Sequence, residues 1–474
     1  MINKEPLQIY NTWRNRFTLS LRAKALADSK INFTIHAFDA AQKATHTAGS
    51  STGQINSNLL VGGETSNTAF NDVENEDMSW ASMKDDDELK FHYIAHKKAE
   101  SGCNAEEQKY LMEFKSDGTP RSDLYKLSAK LLLKDKLTFQ EDALLTLSGI
   151  YNYFHPFTTA MYTTHLNRPV PPRHTCISNK ELNPDLTTML SKIISNNDIN
   201  EILATIQEEK AKLSKARQRH SDLYAMLSII EKVMEDTEYW SSDQSEQEIT
   251  FYRRFTSLLD ALFNNCDIKM ADGETGCESS RKQIEVNKRL FNTDDISPSY
   301  PRKIDLLLKH DDKRNIELCS NEWKRAKVTK EIKAKQQSKN LRVNASIIHN
   351  LQSEHGRYFD TILAMDIIGS KGYIYSLTKH EDYFVAASHS TIVIPMKISD
   401  ISFLKSSLAS LFSFKLREKI MQHEISHDLD DVWIIEHDNQ LQNNANLIYF
   451  ESKKRKSIDD NNDDYQSKRG SGRT

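Results

Sequence analysis

Residues 302–324 read RKIDLLLKHDDKRNIELCSNEWK. Two runs, 302–310 and 315–324, flank the turn-like DDKR, and this pattern predicts a pair of adjacent β-strands. In the first run Asp305 sits among Ile304, Leu306, Leu307 and Leu308. In the second, Glu322 and Lys324 are two residues apart, and strand residues two apart share a face. Two carboxylates on neighbouring strands, with an amine beside them, can therefore converge on one point.

Outward from this pair the pattern is mixed. Upstream, SEQE (245–248) has the form of a capping box, with Ser245 as N-cap, and opens a helix carrying Tyr252, Phe255, Leu259 and Leu262 on one stripe. A loop with Gly273 and Gly276 and the turn SPSYP (297–301) follow. Downstream, a basic stretch (325–353) has helical composition. After it come the strand TILAMDII, the turn GSKG, the strands YIYSL, YFVAAS and TIVIP, and a helix near 400–424 with Leu404, Leu408, Leu411 and Phe412 on one side. The order predicts an α/β domain over 241–425, a mixed sheet flanked by helices.

The rest of the 474-residue chain divides by composition. Residues 1–39 hold one short helical stretch, around Trp13 to Ala27. Residues 40–87 are rich in Ser, Thr, Asn and Gly, end in an acidic cluster and read as a disordered linker. Residues 88–240 have helical periodicity, with the Pro-rich RPVPPRH (168–174) as a connection, and no chemistry is evident in them. Residues 426–474 form an extension ending in a charged, unpatterned tail.

A net charge of −4 excludes a general cationic surface, so any nucleic-acid contact has to be local. Five widely spaced cysteines without a CxxC pair suit a reducing compartment and give no zinc site. Without an apolar leader or a run of about 18 uncharged apolar residues, a soluble intracellular protein with no membrane partner is expected. No P-loop, strand-to-helix GxGxxG, GxSxG elbow or HExxH occurs, and His423 and His427 read as surface residues.

An E-x-K triplet alone carries little, since Glu88–Lys90, Glu113–Lys115, Glu208–Lys210 and Glu331–Lys333 have the same spacing. Only Glu322–Lys324 closes a strand-like run that follows an Asp-bearing apolar strand and precedes a helix. In that setting, Asp305 with Glu322-Trp323-Lys324 resembles the PD-(D/E)XK nuclease superfamily, although Ile304 stands where the motif has proline. From SEQEITFYRRF to MDIIGSKGYIYSLTKHEDYFVA the chain also looks like a group of uncharacterised proteins of early-diverging fungi.

The resemblance implies a restriction-endonuclease-like core and metal-dependent hydrolysis of nucleic acid, DNA being the expected substrate. Asp305 and Glu322 would hold Mg2+ or Mn2+, Lys324 would be the catalytic lysine, and Glu246 or Glu248 would add a ligand from the preceding helix. A homodimer is compatible with it. The competing reading is a catalytically inactive nucleic-acid-binding or scaffold protein of the same fold, with Asp305 at a sheet edge, Glu322 and Lys324 a solvated pair, and Asp366 structural.

Two basic clusters remain. Arg325, Lys327, Lys330, Lys333, Lys335, Lys339 and Arg342 follow the triad, either as a solvated face or as a phosphate-backbone contact. In the tail, Lys453, Lys454, Arg455 and Lys456 with Lys468 and Arg469 have the form of a bipartite nuclear localisation signal, which predicts a nuclear protein and an import receptor as partner.

Overall fold

A computed structural model describes residues 87–100, 102–134, 137–154, 159–160, 163, 181–241, 247–291, 298–310, 315–355, 359–435 and 447–450. The expected N-terminal helix, the linker up to residue 86, Ser245, Glu246, the 168–174 connection and the basic tail lie outside the described residues. In chain order the elements are α1 (Asp87–Glu100), α2 (Ala105–Glu113), α3 (Pro120–Leu132), α4 (Leu137–Leu147), β1 (Ile150–Asn152), α5 (Pro184–Ile194), α6 (Ile199–Lys215), α7 (Asp222–Glu235) and α8 (Thr237–Ser241). Then follow α9 (Glu248–Phe263), β2 (Ile268–Cys277), α10 (Glu278–Phe291), β3 (Arg302–His310), β4 (Glu317–Lys324), α11 (Lys330–His355), β5 (Thr361–Ile368), β6 (Lys371–His380), β7 (Tyr383–Val393) and α12 (Phe403–Ile435).

The strands form one mixed sheet in the order β1-β7-β6-β5-β4-β3-β2. Strands β2, β3 and β4 are antiparallel neighbours; α11 then carries the chain over to β5, which lies parallel to β4. Helix α11 contacts β4, β5 and β6, while α9 packs on β4 and α12 on β5 and β7. The Trp323 ring meets Tyr252 and Phe255 of α9 at 5.3 and 5.8 Å between centroids, so α9 covers the face of β4 opposite to Glu322.

Central strands covered on both faces usually read as unbroken apolar runs. Strand β5, TILAMDII, does, apart from Thr361 at its start and Asp366. Strand β4, ELCSNEWK, is just as buried but carries Glu317, Ser320, Asn321 and Glu322 inside. Each needs a partner there, because a buried polar group without one costs about 1–3 kcal/mol. The Asn344 side chain accepts the Ser320 N–H and donates to the Ser320 carbonyl, the Ser320 hydroxyl donates to Asn340, and Asn321 Oδ1 accepts the Met365 N–H.

Three segments depart from the sequence reading. The expected loop with Gly273 and Gly276 is the second half of β2, an edge strand with an irregular register between Asp272 and Thr275 opposite β3. Its glycines and acids lower β-propensity, and pairing with the apolar β3 overrides that. The polar α10 was not foreseen. Within the helical region, Ile150–Asn152 pairs parallel with β7, so that region extends the sheet, and its Leu186, Ile202 and Ile230 share a core cluster with α9 and the strands.

The segment 447–450 is buried as well. Tyr449 N–H donates to Ser148 Oγ (3.0 Å), Asn287 Nδ2 to Ile448 O (2.7 Å) and Arg342 Nη1 to Tyr449 O (2.9 Å). This segment ties α10 and α11 to the residue that follows α4.

Candidate active site

The β3–β4 register pairs Leu306 with Asn321. One step further sets Asp305 across from Glu322, and residues opposite one another on an antiparallel ladder share a face. The site therefore forms where β3 begins and β4 ends. Asp305 Oδ2 accepts the Trp323 N–H at 2.8 Å and lies 3.7 Å from Lys324 Nζ. Lys324 Nζ also donates to Glu248 Oε1 at 2.9 Å and to Trp323 O at 2.6 Å. Asp305, Glu322, Lys324 and Glu248 thus come together, from two strands and a helix start.

Helix α9 begins differently from the expected capping box. Its first residue is Glu248, its N-cap is Gln247, and no side-chain cap bond is made. The Glu248 carboxylate turns to Lys324 instead of to its own backbone.

Glu322 is 1% exposed and receives Lys339 Nζ at 2.5 Å. Burial pushes its carboxyl up to about 8; Lys339 pulls it down, and the negative charge of Asp305 pushes it up again. Lys324 stays cationic: burial works against its charge, but Asp305, Glu248 and Glu322 outweigh that and hold the ammonium above its ordinary value. It is therefore an electrostatic group in this arrangement, with no lowered proton affinity for base chemistry.

Behind Glu322 lies a buried polar layer. Glu322 is in register with Asp366 of β5. Asp366 accepts from Asn340 Nδ2 (3.0 Å), Gln336 Nε2 (3.3 Å) and the Tyr373 hydroxyl (2.9 Å), and burial raises its carboxyl to about 6 against those bonds. Asn344 continues the layer to Tyr375 at 2.7 Å. Gln336, Asn340 and Asn344 recur every four residues, one face of α11. That spacing was readable in the sequence but was submerged in the basic run.

The basic run itself divides. Arg325, Lys327, Lys330, Lys333 and Lys335 are exposed, Lys339 is bound to Glu322, and Arg342 is buried. Arg342 donates to Ser338 O and Tyr449 O, so it leaves the expected set of surface contacts. The reason is position: Arg342 faces the 447–450 segment, which sequence periodicity did not reveal.

The backbone at this end of β4 is held by the turn after β5. Gly369 N–H donates to Lys324 O at 2.8 Å, with Gly369 at φ +61°. A Cβ on Gly369 would lie 2.7 Å from the Ala326 side chain, so only glycine meets both demands.

The donor set suits a hard divalent cation: two carboxylates on adjacent strands, one of them disfavoured as an anion by burial and by its neighbour. Mg2+ commonly takes one or two carboxylates and keeps several waters. Among the described residues no group of three or more His, Cys, Asp or Glu side chains is placed to hold a metal ion. No helix among them is long and apolar enough to cross a membrane. Comparison with family models, with curated proteins and with solved structures gives no match, so the site rests on its own geometry.

Proposed function

We propose that the chain is a metal-dependent nuclease with a restriction-endonuclease-like PD-(D/E)XK core, acting on DNA. The observation that carries this reading is the convergence of Asp305, Glu322 and Lys324 at the shared end of β3 and β4, with Glu248 of α9 beside them. The element order α9-β2-α10-β3-β4-α11-β5, with β4 and β5 parallel, supports it.

In this mechanism Asp305 and Glu322 would hold Mg2+ or Mn2+, which when bound supplies charge neutralisation at the phosphoryl oxygens and a more acidic water. Lys324 stays protonated and faces the negative charge that builds on the phosphoryl group, a role for a fixed cation in a partly buried site. Glu248 holds the Lys324 ammonium in place. Arg325, Lys327, Lys330, Lys333 and Lys335 take the phosphate backbone, a contact without sequence preference that weakens with salt.

Purified protein is expected to cleave DNA with Mg2+ or Mn2+. Asp305→Asn and Lys324→Met should each lower the rate by about 10²–10³, the usual cost of losing one transition-state partner. Undiminished cleavage by both variants rejects the assignment. A second reading, a non-catalytic nucleic-acid-binding protein, draws on the lysine bound to Glu322 and on Lys324 beside Asp305. It expects salt-dependent binding without turnover in any divalent metal.

We also propose nuclear import through Lys453, Lys454, Arg455, Lys456, Lys468 and Arg469, on the strength of their spacing in the sequence. A fluorescent fusion should lose nuclear accumulation when residues 453–456 are changed to alanine. Unchanged accumulation removes this assignment.

A further inference from the structure

Lys339 has two neighbours of opposite meaning. On α11 it stands one turn after the exposed Lys335, and residues four apart are adjacent on a helix surface. At its tip it meets Glu322, the acid at the candidate centre. The pair is asymmetric: the Lys339 side chain is 34% exposed and that of Glu322 is 2% exposed. The ammonium thus stands on the solvent side of the carboxylate, one helical turn inward from the exposed Lys335.

A cation bound to Glu322 from inside and a phosphate arriving along α11 from outside would compete for the two halves of this ion pair. A carboxylate taken up by a divalent ion no longer needs the lysine. The released ammonium is then the basic group of α11 nearest the acids, where a phosphodiester has to lie for hydrolysis.

We propose that Lys339 changes partners: Glu322 holds it in the metal-free protein, and it passes to a backbone phosphate of the nucleic acid once Glu322 is engaged by a divalent cation. Lys339 is thereby a substrate-positioning residue whose availability couples metal loading to nucleic-acid binding. This rests on the nuclease reading for the identity of the cation, and on the ion pair itself for the lysine.

The experiment needs no turnover. Binding of the full chain to a short B-DNA duplex is measured against salt concentration in EDTA. Glu322→Gln should steepen the fall of log K with log salt by about 0.9, one phosphate's worth, and tighten binding several-fold. The same substitution on a Lys339→Met background should leave the slope as it was. Ca2+ added to the unmodified chain should act as Glu322→Gln does, and should fail to do so in Lys339→Met; this arm needs no change at the buried acid.

Equal slope changes with and without Lys339, or none in either, overturn the partner change. The nuclease reading is measured apart, by Mg2+-dependent cleavage in Asp305→Asn. A Lys339-dependent slope with cleavage indifferent to Asp305 keeps the phosphate role and removes the metal centre. Normal Asp305 dependence with an unaltered slope removes the partner change alone. Absence of salt-dependent binding in every variant overturns both.

Discussion

Strand β4 carries two buried glutamates, and what holds each of them differs completely. Glu317, at the start of the strand, is saturated by the beginning of α10. Its carboxylate accepts the N–H groups of Glu278 (2.7 Å) and Ser279 (2.9 Å), the Ser279 hydroxyl (2.6 Å) and the Cys277 thiol (3.3 Å). Those N–H groups belong to the first turn of α10 and have no partner within the helix. Glu317 is thus a helix cap supplied from another strand, in the position where a helix start favours negative charge. Glu322, at the other end, has one lysine and faces a second acid. Burial alone does not mark a functional carboxylate. A carboxylate surrounded by fixed N–H groups is structural; one facing a like charge and a detachable side chain is able to take a ligand.

The sharpest way to break this comparison is to remove each acid in turn and measure unfolding by denaturant. Glu317→Ala should cost about 2–4 kcal/mol, since it leaves two peptide N–H groups and a hydroxyl without an acceptor. Glu322→Gln should cost much less, because the released Lys339 reaches solvent, while metal-dependent cleavage is lost. If the two variants are equally destabilised, the distinction fails.

A smaller effect lies in the pH dependence of stability. Burial raises the carboxyl of Glu418 on α12, a fully buried acid, from 4.5 to about 8. Between those values the folded state keeps a proton that the unfolded chain has lost, so the contribution of this group is fully present below about pH 4.5 and falls as pH rises towards about 8. Denaturation midpoints across that window should therefore decline less steeply in Glu418→Gln than in the unmodified chain. Parallel curves would show that this acid is not held in its neutral form.

Smallest of all, Ser279→Ala should cost about 1 kcal/mol, as it removes one of the donors to Glu317 and leaves the N–H groups in place.

Strands β3, β4 and β5 were legible because burial on both faces leaves an apolar signature even where acids interrupt it, and TILAMDII coincides with β5 from end to end. Strand periodicity set Glu322 and Lys324 on one face, and the reading of 302–310 and 315–324 as neighbouring strands set Asp305 beside them; the register that puts Asp305 across from Glu322 comes from the fold. Strand β2 was illegible because its last seven residues, ADGETGC, satisfy turn chemistry as well as an edge strand does, and only pairing with β3 decides between them. Glu248 read both as the capping-box glutamate and, with Glu246, as a candidate metal ligand; its pairing with Lys324 was illegible because the two are 76 residues apart. Arg342 read as surface because a basic run conceals which of its members turn inward. Lys339 read as one of seven cations, although the four-residue row of Gln336, Asn340 and Asn344 on the same helix already showed that this part of α11 has a buried polar side.

Gly369 touches none of the acids, yet it governs how Lys324 is aimed. Its hydrogen bond to the Lys324 carbonyl and the Ala326 side chain against its missing Cβ leave no slack on either side. Any side chain added there has to be absorbed by the two residues that follow the candidate lysine, turning a change in a remote hairpin bend into a shift of the amine. Loss of function from position 369 would therefore leave the charge inventory of the site complete, and would look from sequence like a lesion with no connection to its chemistry.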